Sequence, residues 1–243
     1  VPVDRKNFHP DMDAIRSSIT DRTRMIMVNS PCNPTGAVYT REEIEEIVSI
    51  AIEHDLWIIS DEIYSRLIWN GGEHVSPATI EGGKERTIVI SGWSKTWAMT
   101  GMRVGFLAGP EQAVRAAVKC QANSASHIPT FMMEAARVAL DCDDHVERFS
   151  DAYRHRRNLI VQGLEDIPGL RIVNPEGAFY LFIDVTGTGM SDVQFADGAL
   201  KAGVQLIPAS LITGGEGFIR VSYAASEEDI KEGINRLRSW LLE

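Results

Sequence analysis

Cysteine is scarce. Three in 243 residues, at positions 32, 120 and 142, form neither a disulfide framework nor a zinc-site spacing. Positive charge is short as well: 24 Lys and Arg stand against 34 Asp and Glu, a formal net charge of −10. A basic surface for nucleic acid is therefore not expected. No apolar run reaches the ~18 residues of a membrane span. Val1-Pro2-Val3-Asp4-Arg5 has no apolar stretch behind it of the kind a signal peptide carries. The expected setting is cytoplasmic, without membrane or nucleic acid as partner. The six histidines are scattered and no compact His/Cys/Asp cluster appears, so no metal site is expected. The glycine loops Gly187-Thr188-Gly189 and Gly214-Gly215-Glu216-Gly217 lack the strand and helix context of a dinucleotide site, and there is no P-loop and no GxSxG elbow. What is present, 44% apolar and 24% charged residues, suits a chain with a substantial core.

Short apolar runs alternate with helical patterns. Met25–Val28, Leu56–Ile59, Thr87–Ile90 and Val104–Leu107 read as buried strands. Helices are expected over Asp11–Ile19, after Thr40 with Glu43 as its capping-box partner, from Pro110 as a first helical residue, and from Thr130. Continuous apolar strands separated by helices indicate an α/β fold, a mostly parallel sheet with helices on both faces. The composition shifts at Asp141-Cys142-Asp143-Asp144. A long charged helix then runs from about His145 to Glu165 and stops at Pro168-Gly169. Strands at Arg171–Val173, Ala178–Ile183 and Phe218–Tyr223, and a closing helix after Ser226, suggest a smaller α+β layer. The expected domains are residues 1–141 and 142–243.

In a parallel sheet, ligands gather beyond the C-terminal ends of the strands. Asn33, Asp61 and Lys95 each follow such an end. Lys95, between Ser94 and Thr96 and flanked by Trp93 and Trp97, has two readings. Desolvation by the tryptophans would favour a neutral amine suited to Schiff-base chemistry. Alternatively, the lysine is exposed and its stem lies over an indole. Arg103 sits at the start of a strand, and Arg220 lies inside the apolar run Phe218–Tyr223. Each either pairs internally or presents its planar fork to an anion.

Together, Ser30-Pro31-Cys32-Asn33-Pro34-Thr35-Gly36, Ser60-Asp61-Glu62-Ile63-Tyr64, Ser94-Lys95 through Arg103, Pro175-Glu176-Gly177-Ala178-Phe179-Tyr180 and the Arg220 strand resemble one family. It is the class I/II aminotransferases of the aspartate aminotransferase superfamily, fold type I enzymes that use pyridoxal 5′-phosphate (PLP). The resemblance covers nearly the whole chain and implies transfer of an amino group between an amino acid and a 2-oxo acid, in a homodimer. Lys95 resembles the lysine that holds PLP covalently and then shuttles a proton. Asp61 resembles the carboxylate paired with the pyridine nitrogen, a pairing that keeps the ring able to accept electrons. Asn33 and Tyr64 resemble donors to the 3′ oxygen. Ser94 and Arg103 resemble phosphate ligands, Arg220 the clamp on the substrate α-carboxylate, and Asn33 a further substrate-binding residue. Trp93 and Trp97 read as pocket walls or packing rather than chemical groups.

The resemblance begins part-way along the family pattern. The glycine-containing phosphate turn, the aromatic that stacks on the cofactor and two sheet strands have no counterpart here. The chain is accordingly expected to correspond to the C-terminal part of such an enzyme. Its edge piece at Val1–Asp4 would be separated by a gap from the strand at Met25–Val28. A lyase or synthase of the same fold, and a non-catalytic remnant, are the alternative readings.

Overall fold

The structure is a computed structural model, and it describes residues 1–242. It divides into two compact units. The first comprises Val1–Pro31 and Ala37–Phe149, the second Cys32–Gly36 and Ser150–Glu243.

The first unit opens with a closed loop. Val3 makes a single antiparallel bridge to Pro10, and the Phe8 and Asp4 amides donate to the Asp4 and His9 carbonyls. The expected edge strand at Val1–Asp4 is therefore a local turn, not part of the sheet. Helix α1 (Met12–Ser18), capped by Asp11, leads to β1 (Met25–Asn29). Helix α2 (Arg41–Glu53) starts on the capping box expected from sequence: the Thr40 side chain accepts from the Glu43 amide, and the Glu43 carboxylate accepts from the Thr40 amide. Next come β2 (Trp57–Asp61), β3 (Thr87–Gly92) and β4 (Gly105–Ala108), then α3 (Glu111–Ser124), α4 (Thr130–Ala139) and α5 (Asp143–Leu164). Pro110 is the N-cap of α3, one place before its first residue.

The strands form one sheet in the order β1-β2-β3-β4. β1–β2 and β2–β3 pair in parallel, with Val28 opposite Ser60 and Ser60 opposite Val89. β3–β4 pair antiparallel, Ile90 opposite Leu107, so the sheet is mixed. The physical reason lies in the connection. A parallel return needs a crossover of a dozen or more residues, usually a helix. Residues 93–104 hold no α-helix and turn the chain straight back.

Alternation along the strands sorts the two faces. Val28 and Ile58 pack with Ile44, Ile47, Val48 and Ala51 of α2 and with Leu56 and Val75. On the opposite face of β1, Met25 and Met27 are exposed, and no strand among the described residues pairs with the far edge of β1.

In the second unit, β5 (Arg171–Ile172), β6 (Tyr180–Asp184), α6 (Asp192–Lys201), β7 (Ile207–Pro208), β8 (Phe218–Ser222) and α7 (Glu227–Leu242) follow α5. Their sheet is antiparallel, in the order β5-β6-β8-β7. β6 is buried at every position. The boundary at Phe149/Ser150 falls inside α5, not ahead of it at 141/142.

The loop Cys32–Gly36 belongs to the second unit because of Gly36. Its carbonyl accepts from the Glu176 and Gly177 amides at 2.9 and 2.8 Å. Its φ is +75°, and a Cβ there would lie 2.5 Å from the Cβ of Pro175. Only glycine fits both constraints.

Two substitutions test this local logic. Gly36→Ala should cost about 1–3 kcal/mol, as strain and overpacking at a closed site do. Thr40→Ala should cost about 0.5–2 kcal/mol through the lost cap. Urea unfolding of the two variants beside wild type measures both, and an unchanged midpoint for Gly36→Ala would show that the loop shifts freely.

Candidate functional site

Five of the expected site residues gather at one end of the first unit's sheet. β2 ends on Asp61 and runs into the turn that carries Tyr64. β3 ends at Gly92 and runs into the loop that carries Ser94 and Lys95. The parallel pairing of Asp61 with Ile90 brings these two strand ends level. Arg103 closes the same loop just before β4. It has left-handed backbone (φ 54°), and its guanidinium donates to the Thr100 carbonyl at 3.0 Å.

Asp61 is only partly exposed. Burial, the largest influence, raises its pKa, the Ile63 amide hydrogen bond lowers it, and the neighbouring Glu62 charge raises it, with a net upward shift. A carboxylate whose charge is disfavoured by its surroundings suits a cationic partner. Lys95 Nζ lies 5.9 Å from the centre of the Tyr64 ring, and the Tyr64 side chain is buried. Trp93 and Trp97 are in contact with each other, ring centres 5.8 Å apart, and Trp93 meets Phe106 edge-on. Arg66 lies over the Trp97 ring at 5.9 Å. The indole nitrogens of Trp93 and Trp97 are buried without a hydrogen-bond partner. The two rings and Phe106 thus pack into one aromatic cluster on the loop that carries Lys95.

Asn33 and Arg220 lie in the second unit, and the structure joins them. Arg220 Nη1 donates to Asn33 Oδ1 at 3.0 Å. The guanidinium of Arg220 also sits 4.8 Å over the ring of Tyr180. Phe182 stands directly across the β6–β8 pair from Arg220. The arginine inside an apolar strand is therefore held by an amide oxygen and an aromatic face, two partners that leave its positive charge uncancelled. Sequence reasoning did not foresee the Tyr180 contact. The signal was available in the period of β6, because Tyr180 and Phe182 share the face that Arg220 occupies on β8.

Comparison with known proteins agrees with the fold. Residues 1–237 match the family model described as aminotransferase class I and II, and the chain belongs to that family. It is 41% identical to an aromatic-amino-acid aminotransferase 2 from Thermococcus litoralis, over the whole of this chain and 64% of that protein. It is 39% identical to an aspartate aminotransferase from Pyrococcus abyssi with the same coverage. Among solved structures, an aromatic aminotransferase from Pyrococcus horikoshii superposes with a TM-score of 0.93 at 40% identity, covering 97% of this chain and 64% of that one. The chain thus spans a little under two thirds of the length of these relatives. Among the described residues, no helix is long and apolar enough to cross a membrane.

The raised pKa of Asp61 has a consequence for stability. A folded-state pKa above the ordinary value of 3.8 means that the folded chain binds this proton more tightly than the unfolded chain does. Stability therefore falls as pH rises from that value through the raised one. Asp61→Asn keeps the acceptor for the Ile63 amide and removes the charge. The cofactor-free variant should have a higher thermal midpoint than wild type at pH 7, with the gain vanishing as pH falls through the window. A lower midpoint at pH 7 would refute the account.

Proposed function

We propose that this chain carries the covalent-attachment and substrate-carboxylate residues of a PLP-dependent aminotransferase that moves an amino group between an amino acid and a 2-oxo acid. One observation carries the reading: a charge-disfavoured carboxylate, Asp61, and an amine, Lys95, sit at neighbouring strand ends beside a buried phenol, Tyr64. This donor set fits PLP, which offers a basic ring nitrogen, a phenolic oxygen, an aldehyde and a phosphate. Family membership supports it, and the names of the relatives, aspartate and aromatic-amino-acid aminotransferases, favour amino transfer over lyase chemistry.

In this reading PLP supplies an electron sink for the charge left on the substrate Cα. Asp61 holds a proton on the ring nitrogen by supplying the counter-charge. Lys95 Nζ is the point of covalent attachment and, once released, moves the proton at the substrate Cα. Tyr64 donates to the phenolic oxygen. Ser94 and Arg103 hold the phosphate, where charge-assisted bonds are strongest. Arg220 receives the α-carboxylate in two parallel bonds, a match for its planar fork.

Incubation with PLP followed by borohydride reduction and peptide mapping should place the adduct on Lys95, and Lys95→Ala should lose it. An adduct on another lysine would overturn the assignment. In the full-length protein, Arg220→Lys should weaken amino-acid and 2-oxo-acid substrates together, by about 10–100-fold, while PLP stays bound. Equal kinetics for an amino acid and its decarboxylated amine would remove the need for the clamp.

A further inference from the structure

Directly after Asp61 stands a second acid that this chemistry does not use. The Glu62 side chain is 11% exposed. Its Oε1 accepts from Ser60 Oγ at 2.9 Å and from Ser76 Oγ at 2.5 Å. Its Oε2 lies 3.0 Å from His74 Nε2, an ion-pair separation, although the ring is turned out of line for a hydrogen bond. The His74 side chain is itself only 13% exposed. A buried carboxylate without partners would take up a proton. Here burial acts to raise the Glu62 pKa, but contacts from His74, Ser76 and Ser60 outweigh it, and the group sits below its ordinary value.

The backbone of the same residue ties the strand ends together. The Glu62 amide donates to the Ile90 carbonyl of β3 at 2.8 Å. Its carbonyl accepts from the Ser65 amide at 3.0 Å and from Ser91 Oγ at 3.3 Å. Glu62 thus joins four segments: the end of β2, the end of β3, the turn carrying Tyr64 and the loop 74–76. Asp61 precedes it, Tyr64 is two residues on, and Ser91 lies three residues before Ser94.

We propose that Glu62, paired with His74, is a positioning residue for the cofactor site: it fixes the 61–65 turn so that Asp61 and Tyr64 are held in place before the cofactor arrives. The proposal rests on the PLP reading for its consequence, but the clamp itself is a property of the cofactor-free chain. Pre-setting the turn means that cofactor binding does not have to order it, which is how a supporting shell improves a site.

Backbone hydrogen exchange tests the clamp without the cofactor. The variants are Glu62→Gln, His74→Leu and the two combined. In each single variant the amides of Ile63 and Ser65 should exchange about tenfold or more faster than in wild type, as the loss of one of the contacts that hold the Glu62 carboxylate implies, while amides in α2 stay within about twofold. The double variant should be no worse than the more severe single one, because both remove the same interaction. Borohydride-fixed PLP, titrated in parallel, should need about tenfold more cofactor for half-labelling, with Lys95 still the labelled residue. Uniform acceleration across the unit would make Glu62 an ordinary stability residue and overturn the proposal. So would unchanged exchange at Ile63 and Ser65, or faster exchange there with unchanged PLP labelling. A wild-type chain that labels at no lysine or at another one would instead strike the PLP reading, and the exchange data would still decide the clamp.

Discussion

Side chains alternate along β2, and this alternation governs the first unit. Ile58 and Ser60 face the core beneath α2, while Ile59 and Asp61 face the other way. Because β2 is central and parallel to both neighbours, its register is fixed by the burial of Ile58. A slip of one residue would place Asp61 in the core and expose Ile58. The packing of one isoleucine under α2 thereby sets which way the carboxylate at the strand end points. The same alternation returns Glu62 to the side of Ser60, where the two side chains bond. Adjacent acids are thus assigned opposite environments by strand geometry alone.

Much of this was legible in the sequence. Apolar runs marked the strands of the first unit, and Thr40 with Glu43 marked the start of α2. Polar residues at the ends of those runs marked Asn33, Asp61 and Lys95. The antiparallel β4 was less visible, since direction is set by the length and content of the connection rather than by the strand's own residues. Helix α6 passed unnoticed although Ser191 and Gln194 form a capping box. Its Gly198 hides the helical pattern: the glycine is there because the Trp240 ring of α7 takes the space a side chain would need. The two-residue β7 contains Pro208 and gives almost no strand signal. The Glu62 network was hidden for another reason. His74 lies in a loop after Gly71-Gly72 with no periodicity, and only the folded chain brings it to the carboxylate.

The second unit holds Arg220 differently from the way the first holds Asp61. Asp61 is set by partial burial and a single backbone bond to its carboxylate. Arg220 is set by neutral partners, an amide oxygen and a tyrosine face, which fix its direction without neutralising it. In the same unit Arg171 pairs with Asp184 and Arg238 with Asp166, while Arg157, like Arg220, has neutral oxygens as its partners. An arginine matched to an acid is a structural cross-link. One matched to an amide and a ring keeps its charge for a further partner.

The loop Cys32–Gly36 joins the second unit while the residues on either side of it belong to the first. The partition of the fold and the linear order of the gene therefore disagree. A recombination event that exchanged everything after residue 149 would inherit Arg220 and Tyr180 but leave Asn33 and Gly36 behind. The incoming β8 arginine would then face an asparagine from a different lineage, across a joint shaped for a different Pro175. Related proteins can be recombined at that boundary only if both lineages keep this five-residue segment interchangeable, so a short loop constrains how the whole C-terminal half can be shuffled.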